Sequence, residues 1–230
     1  MNIHLPSLGI GAGIVATIII AFLAYSQVLD KNPQQTTGEQ ESPSQKVFSL
    51  ITDYRSSILG SKDAAITMIE FGDYQCFYCN KFYHTTETEI VKNYVDTGKV
   101  KMIFKDFTII GQDSVIAANA AHCAQEQGKF WEYHDALYDN WAGENTGWAS
   151  SKNLLGFAKQ AGLNEEQFNE CMTKTKYANI VQGSVSNARD LGLSGTPDFF
   201  IIGPDNSITK VVGAQPYDVF DEIFKSKLKS

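Results

Sequence analysis

The sequence predicts an α/β domain: a small sheet built in two halves, with a run of helices inserted between them. Three observations predict it. Residues 65–71 (AITMIEF) are a short run of apolar and β-branched residues broken by Gly72-Asp73, the pattern of a buried strand. Residues 113–192 carry about five helical patterns in succession, several opened by a capping residue or closed by a glycine. Residues 195–202 (GTPDFFII) place a proline at the opening of an apolar strand, where its missing N–H is tolerated. With 230 residues the chain suffices for one sizeable domain and an appendage, and its 43% hydrophobic and 20% charged residues suit an ordinary packed core.

The appendage is N-terminal. No Lys, Arg, Asp or Glu precedes Asp30, and residues 8–25 (LGIGAGIVATIIIAFLAY) form an uninterrupted apolar stretch. At about 1.5 Å per residue, a helix of this length nearly crosses the roughly 30 Å hydrocarbon layer. Residues 1–26 therefore read as a transmembrane anchor. A cleaved signal segment is the rival reading, since Ala24-Tyr25-Ser26 offers small residues for cleavage; the long apolar region and the lack of basic residues before it favour the anchor. A buried core helix is the ordinary alternative, and the terminal position and glycine content speak against it. Both membrane readings export the remainder of the chain. Residues 27–45 are polar and include two prolines, so they read as a flexible linker, and residues 46–230 as the globular domain. The net charge of −7 and the absence of a basic stripe argue against a nucleic-acid partner.

After the first strand the chain turns helical. Cys79, Phe82, Tyr83, Thr86, Ile90 and Tyr94 repeat at spacings of three and four, with Gly98 as the stop. Asp113-Ser114 is expected to cap a helix running VIAANAAHCAQEQ to Gly128, and residues 130–140 read as the next helix. Ser150 or Ser151 caps LLGFAKQAG, and Asn164-Glu165-Glu166-Gln167 is a capping-box pattern leading to Cys171. Tyr177, Ile180, Val181, Val185 and Ala188 mark a last inserted helix ending near Gly192.

The chemistry rests on cysteine. Four are present, Cys76, Cys79, Cys123 and Cys171. An even number in an exported domain suggests two disulfides, although four cysteines allow three connectivities. Cys76-Phe77-Tyr78-Cys79 alone could be half a zinc site, a redox dithiol or an accident of composition. Its position favours the dithiol: it sits where a strand hands over to a helix N-terminus, whose unpaired N–H groups and dipole stabilise a thiolate at Cys76. A zinc site would need two further distant ligands, and no second closely spaced ligand pair exists; His84, His122 and His134 fall on helices. Glu70 stands six residues before Cys76 inside an apolar strand. It either points to solvent or is a buried carboxylate of raised pKa that exchanges a proton with the dithiol. Thr196-Pro197 is either an ordinary turn or a cis-proline element beside the dithiol. The aromatic run of Phe130, Trp131 and Tyr133 reads as core, and Trp141 and Trp148 either line a groove near the site or pack internally.

These residues resemble the thioredoxin-fold proteins, specifically their DsbA-like, BdbD-like branch. The resemblance covers residues 57–227. It is carried by Glu70 to Cys79, by Phe104-Lys105-Asp106-Phe107, by residues 122–135 (HCAQEQGKFWEYHD) and by Gly195 to Phe200. It implies a thioredoxin-like fold with a helical insertion, residues 113–192, between the βαβ half and the ββα half. It implies Cys76 as the attacking thiol, Cys79 as the resolving one, Glu70 as the buried carboxylate and Thr196-Pro197 as the cis-proline substrate platform. The family often has Pro or Gly between the cysteines, where this chain has Phe77-Tyr78; that dipeptide tunes oxidising strength and leaves the direction of electron flow open. Export favours a Cys123–Cys171 bridge over two buried free thiols.

The expected activity is extracytoplasmic thiol–disulfide exchange, oxidising cysteines of exported proteins, without a cofactor or a metal. Expected partners are exported substrates with free thiols and a membrane reoxidant of the DsbB or vitamin-K-epoxide-reductase type. A thiol reductase, for example in cytochrome maturation, is the alternative. A non-enzymatic copper chaperone is a third reading, weakened by the lack of a Met-rich or His-rich stretch.

Overall fold

The computed structural model describes residues 43–229. The anchor and most of the linker expected from the sequence lie outside them; among the described residues no helix is long and apolar enough to cross a membrane. Helix α1 (Pro43–Thr52) begins inside the stretch expected as linker. A proline at a first helical position gives up an N–H that would be unpaired there anyway.

The sheet is built around β1 (Ile66–Gly72), which is buried along nearly its whole length. It pairs in parallel with β2 (Val100–Asp106), Glu70 opposite Phe104, and antiparallel with β3 (Asp198–Ile202), Glu70 opposite Phe199. The antiparallel β4 (Ile208–Val212) completes the order β2-β1-β3-β4. Alternation along β1 sorts its side chains. Ile66 and Met68 face a core shared with Cys79, Phe82, Phe199 and Phe220, whereas Ile69 and Phe71 face a second core with Ile51, Ala188 and Phe200. Glu70 keeps the parity of Met68, so its carboxylate lies on the Cys79 side.

The parallel β1–β2 connection is helical. It starts as α2 (Phe77–Phe82) and continues through π-helical turns at Tyr83–Glu87 and Val91–Val95, with Thr88–Ile90 between them. Gly98 follows at φ +72°, a left-handed stop that favours glycine. The regular spacing read from the sequence sends Thr86 inward and leaves Glu87 outside. The wider π turn takes both inside, with Thr86 4% and Glu87 3% exposed.

Five helices separate the halves: α3 (Gln112–Gln125), α4 (Phe130–Asp139), α5 (Ser151–Gln160), α6 (Glu165–Thr173) and α7 (Ala178–Asp190). Helix α8 (Tyr217–Lys227) closes the second half. The α/β fold with an insertion between βαβ and ββα halves is therefore the architecture observed. At α6 the Asn164 side chain accepts from Gln167 N at 3.0 Å, which is one half of the capping box; the other half is replaced, Asn164 N donating to Gln127 Oε1 at 2.7 Å. At α3 the start differs: Gly111 occupies the cap position, one residue before Gln112, without a side-chain bond. Ser114 caps nothing; it is buried, and its hydroxyl accepts from Gln75 Nε2 at 3.0 Å.

Candidate active site

The turn between β1 and α2 is fixed before the cysteines are reached. Asp73 Oδ1 accepts from Gln75 N at 2.9 Å, and Oδ2 from Ile109 N and Ile110 N at 2.8 and 3.0 Å. The side chain thus mimics a backbone turn, and burial raises the Asp73 carboxyl while these bonds oppose the rise. Gln75 is fully buried; its Oε1 accepts from Asn145 N and its backbone O from Trp141 Nε1, both at 2.8 Å. Cys76 N donates to Asp73 O at 2.9 Å. Cys76 itself is the N-cap of α2, in extended backbone (φ −67°, ψ 125°), and its O accepts from Asn80 N at 3.0 Å.

The two thiols are free and unequal. Cys76 is pushed down to about 6, first by the Cys79 thiol, against the opposing effect of burial, and then by Thr196 and the backbone N–H groups of Cys79 and Tyr78. The helix terminus expected to carry this stabilisation is therefore the lesser part of it. Burial raises Cys79 well above its ordinary value, reinforced by the bond it gives to Cys76. A dithiol so arranged holds its charge on Cys76 and its proton on Cys79.

Glu70 is 2% exposed, so the solvent-facing reading falls. Burial raises its carboxyl well above the ordinary range, with Glu87 and then Cys76 adding to the rise. The Thr196–Pro197 bond is cis. The Cys76 thiol donates to Thr196 O at 3.4 Å, and the buried Thr196 hydroxyl has no hydrogen-bond partner among the described residues. Cys76, Cys79, Glu70, Thr196 and Pro197 thus converge from β1, α2 and the entry to β3. Cys123 and Cys171 do not join them; they form a disulfide between α3 and α6, with S–S 2.05 Å.

The surface around Cys76 is aromatic. Phe77 and Tyr78 are 49% and 57% exposed, and the Trp141 ring lies 5.9 Å from that of Phe77. Of the two tryptophans weighed in the sequence, Trp141 is therefore at the site, while Trp148 is buried against Phe157. Sequence reasoning missed Glu144, whose Oε1 accepts from Phe77 N at 3.0 Å, and the buried Glu87 and His134. His134 was visible only as one of the helical histidines, with no pattern separating it from the exposed Glu132 and Asp135 of the same helix. Among the described residues no three His, Cys, Asp or Glu side chains form a metal cluster.

Comparison with known proteins agrees with this geometry. The thioredoxin family profile matches residues 52–209. A probable disulfide bond formation protein D of Bacillus cereus is 29% identical over 86% of this chain and 88% of its own. Disulfide bond formation protein D of Bacillus subtilis is 26% identical over 75% and 77%. Among solved structures, oxidised BdbD of Bacillus subtilis superposes with a TM-score of 0.69 at 25% identity, covering 76% of this chain and 94% of its own. Alpha-DsbA1 of Wolbachia pipientis gives 0.65 at 26% identity, covering 74% and 89%. The chain belongs to the thioredoxin family, in its DsbA-like and BdbD-like branch of thiol–disulfide oxidoreductases.

Proposed function

We propose that this protein oxidises the cysteines of exported proteins through Cys76 and Cys79. A substrate thiolate attacks Cys76 Sγ of the oxidised form. The Cys76–Cys79 bond breaks, its electron pair leaves on Cys79 Sγ, and Glu70 supplies the proton that makes Cys79 a thiol. A second substrate thiolate then attacks the substrate sulfur of the mixed disulfide and expels Cys76 as a thiolate. The substrate is oxidised by two electrons and the enzyme disulfide is reduced to the dithiol.

The observation that carries the direction is the asymmetry of the thiols. A thiolate stabilised at Cys76 stabilises the reduced enzyme, which makes the disulfide the better oxidant. The exposed Phe77 and Tyr78, with the half-buried Trp141 beside them, suit an unfolded, apolar-rich substrate segment beside Cys76. The N-terminal apolar stretch is assigned as a membrane anchor joined by the polar linker, holding the domain outside the cytoplasm. A quinone-linked membrane partner of the DsbB or vitamin-K-epoxide-reductase type returns the dithiol to the disulfide.

Alkylation of reduced protein against pH, with the redox potential of the pair measured alongside, tests the reading. Cys76 reactivity is expected to rise with a midpoint near 6, and the potential to be oxidising relative to thioredoxin. A midpoint at the ordinary thiol value with a strongly reducing potential sinks the oxidase and leaves a reductase.

A further inference from the structure

The core on the Cys79 side of the sheet holds more ionisable groups than thiol–disulfide exchange through Cys76, Cys79 and Glu70 uses. Glu87, from the first π turn of the continuous helical segment Phe77–Val95 (the redox helix), and His134, from α4, are 3% and 0% exposed. Glu87 Oε1 faces His134 Nε2 at 3.7 Å, and His134 Nδ1 is 3.1 Å from the Tyr74 hydroxyl, two residues before Cys76. Glu70 Oε1, Glu87 Oε2, His134 Nε2 and Tyr138 OH, from β1, the redox helix and α4, all lack a hydrogen-bond partner among the described residues although buried. Glu87, His134 and Tyr138 occupy one region, the His134 ring lying 4.9 Å from Tyr138 and 5.5 Å from Tyr74, and Glu70 is near enough for Glu87 to act on its carboxyl. Buried polar groups are ordinarily paired, so this concentration calls for a reason beyond packing.

We propose that Glu87 and His134 are positioning residues for the proton that Glu70 exchanges with Cys79: the pair shares one proton in the dry core and restocks Glu70 after each transfer. This rests on the thiol–disulfide exchange reading. When the Cys76–Cys79 bond breaks, Glu70 gives its proton to Cys79 Sγ and is left as a carboxylate among apolar groups. The Glu87–His134 pair passes its proton to Glu70 and draws another from solvent on the side of Tyr83 and Asp135. On reoxidation the proton leaves Cys79 and the same steps run backwards.

The charges around the pair are consistent with this. Glu87 is the second cause, after burial, of the raised Glu70 carboxyl, and Cys76 the third. Glu70 in turn raises Cys79. From α4, Tyr138 feels Cys79, Glu70, Tyr74 and Glu87. Tyr83 on the redox helix feels Asp135, Asp139 and Glu87. From β2, Asp106 acts on Tyr74, as does Tyr133 from α4, and Asp106 is itself held by His122 at 2.7 Å. Among the described residues His134 is the one basic side chain that contacts Glu87.

The test is the rate at which oxidised protein reacts with dithiothreitol, followed across the acid and neutral range. Wild type is expected to show an acid-side inflection that Glu70→Gln abolishes. Glu87→Gln takes away the carboxyl that raises Glu70 and moves the inflection down by about 1 pH unit; His134→Gln leaves that carboxyl without the ring that faces it and moves it up. A purely structural role would not split the two variants in opposite directions. Inflections of both folded variants at the wild-type pH overturn the proposal. Should a variant fail to fold, the ring-nitrogen NMR signals of His134 in labelled wild type decide. They are expected to differ between oxidised and reduced protein, and unchanged signals overturn the relay. A wild type that does not react with the dithiol at all overturns the exchange reading itself, whereas reaction without the split removes only the relay.

Discussion

Thr196 touches the attacking sulfur from two chemically opposite directions. Its carbonyl, 3.4 Å from Cys76 Sγ, can only accept and so favours the thiol, whereas its hydroxyl, which has no hydrogen-bond partner among the described residues, is a donor that pushes the Cys76 thiol down. Thr196→Val keeps the shape and removes only the donor. It is expected to move the Cys76 alkylation midpoint up by about half to one pH unit. The same change has a stability consequence. Cys76 lies lower in the fold, at about 6, than its ordinary 9.0, so the thiolate stabilises the reduced fold fully above that ordinary value and not at all once pH falls below about 6. In Thr196→Val the lower edge of that window rises, which denaturant midpoints of the reduced protein against pH would show; identical midpoints and alkylation curves would leave the hydroxyl no part in stabilising the thiolate. The residues of this site that could be read from the sequence were those tied to a local pattern: Cys76 and Cys79 by spacing, Glu70 as a charge in an apolar strand, Pro197 at a strand opening. Glu87 and His134 follow no such pattern. One is turned inward by a π turn and the other meets it from a helix 47 residues later (134 − 87).

Elements were legible to the extent that their signals were local. Strands β1 and β3 and the inserted helices follow hydrophobic pattern and caps, and the Asn164 side chain caps α6. Asp113-Ser114 has the same cap chemistry but does not open α3, because the tertiary bond from Gln75 takes Ser114 into the core. Lys105 on β2 is a stronger case of tertiary override. It is fully buried in a strand, beside the Phe71 ring at 5.1 Å, and its Nζ donates to the carbonyls of Leu50 at 2.8 Å and of Asp53. Those carbonyls belong to the last turn of α1 and to the residue just after it, where helix carbonyls have no partners of their own. Burial pushes the ammonium down to about 7, and the two acceptors are what make its placement tolerable. Lys105→Met keeps the apolar stem and leaves both carbonyls without this donor. It is expected to cost about 1–3 kcal/mol in denaturant unfolding and to expose α1 to proteolysis ahead of the sheet. Unchanged stability with α1 still protected would show that water replaces the ammonium without loss.

At the scale of the whole molecule, the two cysteine pairs divide the work between the two parts of the fold. Cys76 and Cys79 sit where the sheet meets the redox helix; Cys123 and Cys171 tie α3 to α6 within the insertion, 48 residues apart in sequence. Spacing alone left three connectivities open, and only the fold separates a pair held free from a pair held bridged. Closing a loop of this length removes conformational freedom from the unfolded chain worth about 4 kcal/mol. The insertion contributes to the site through contacts that do not pass through that bridge. Trp141 and Asn145 hold Gln75, and Glu144 meets the first N–H of α2. Replacing Cys123 and Cys171 together by Ala is therefore expected to lower unfolding stability by roughly 2–4 kcal/mol while leaving the Cys76 alkylation midpoint near 6. Stability is read by denaturant titration and the site by pH-dependent alkylation of the same preparation. A double variant that keeps full stability would show the bridge to be incidental to folding. One whose midpoint drifts toward the ordinary thiol value would show that the insertion sets the chemistry of Cys76 through the bridge, so that the two cysteine pairs do not act separately.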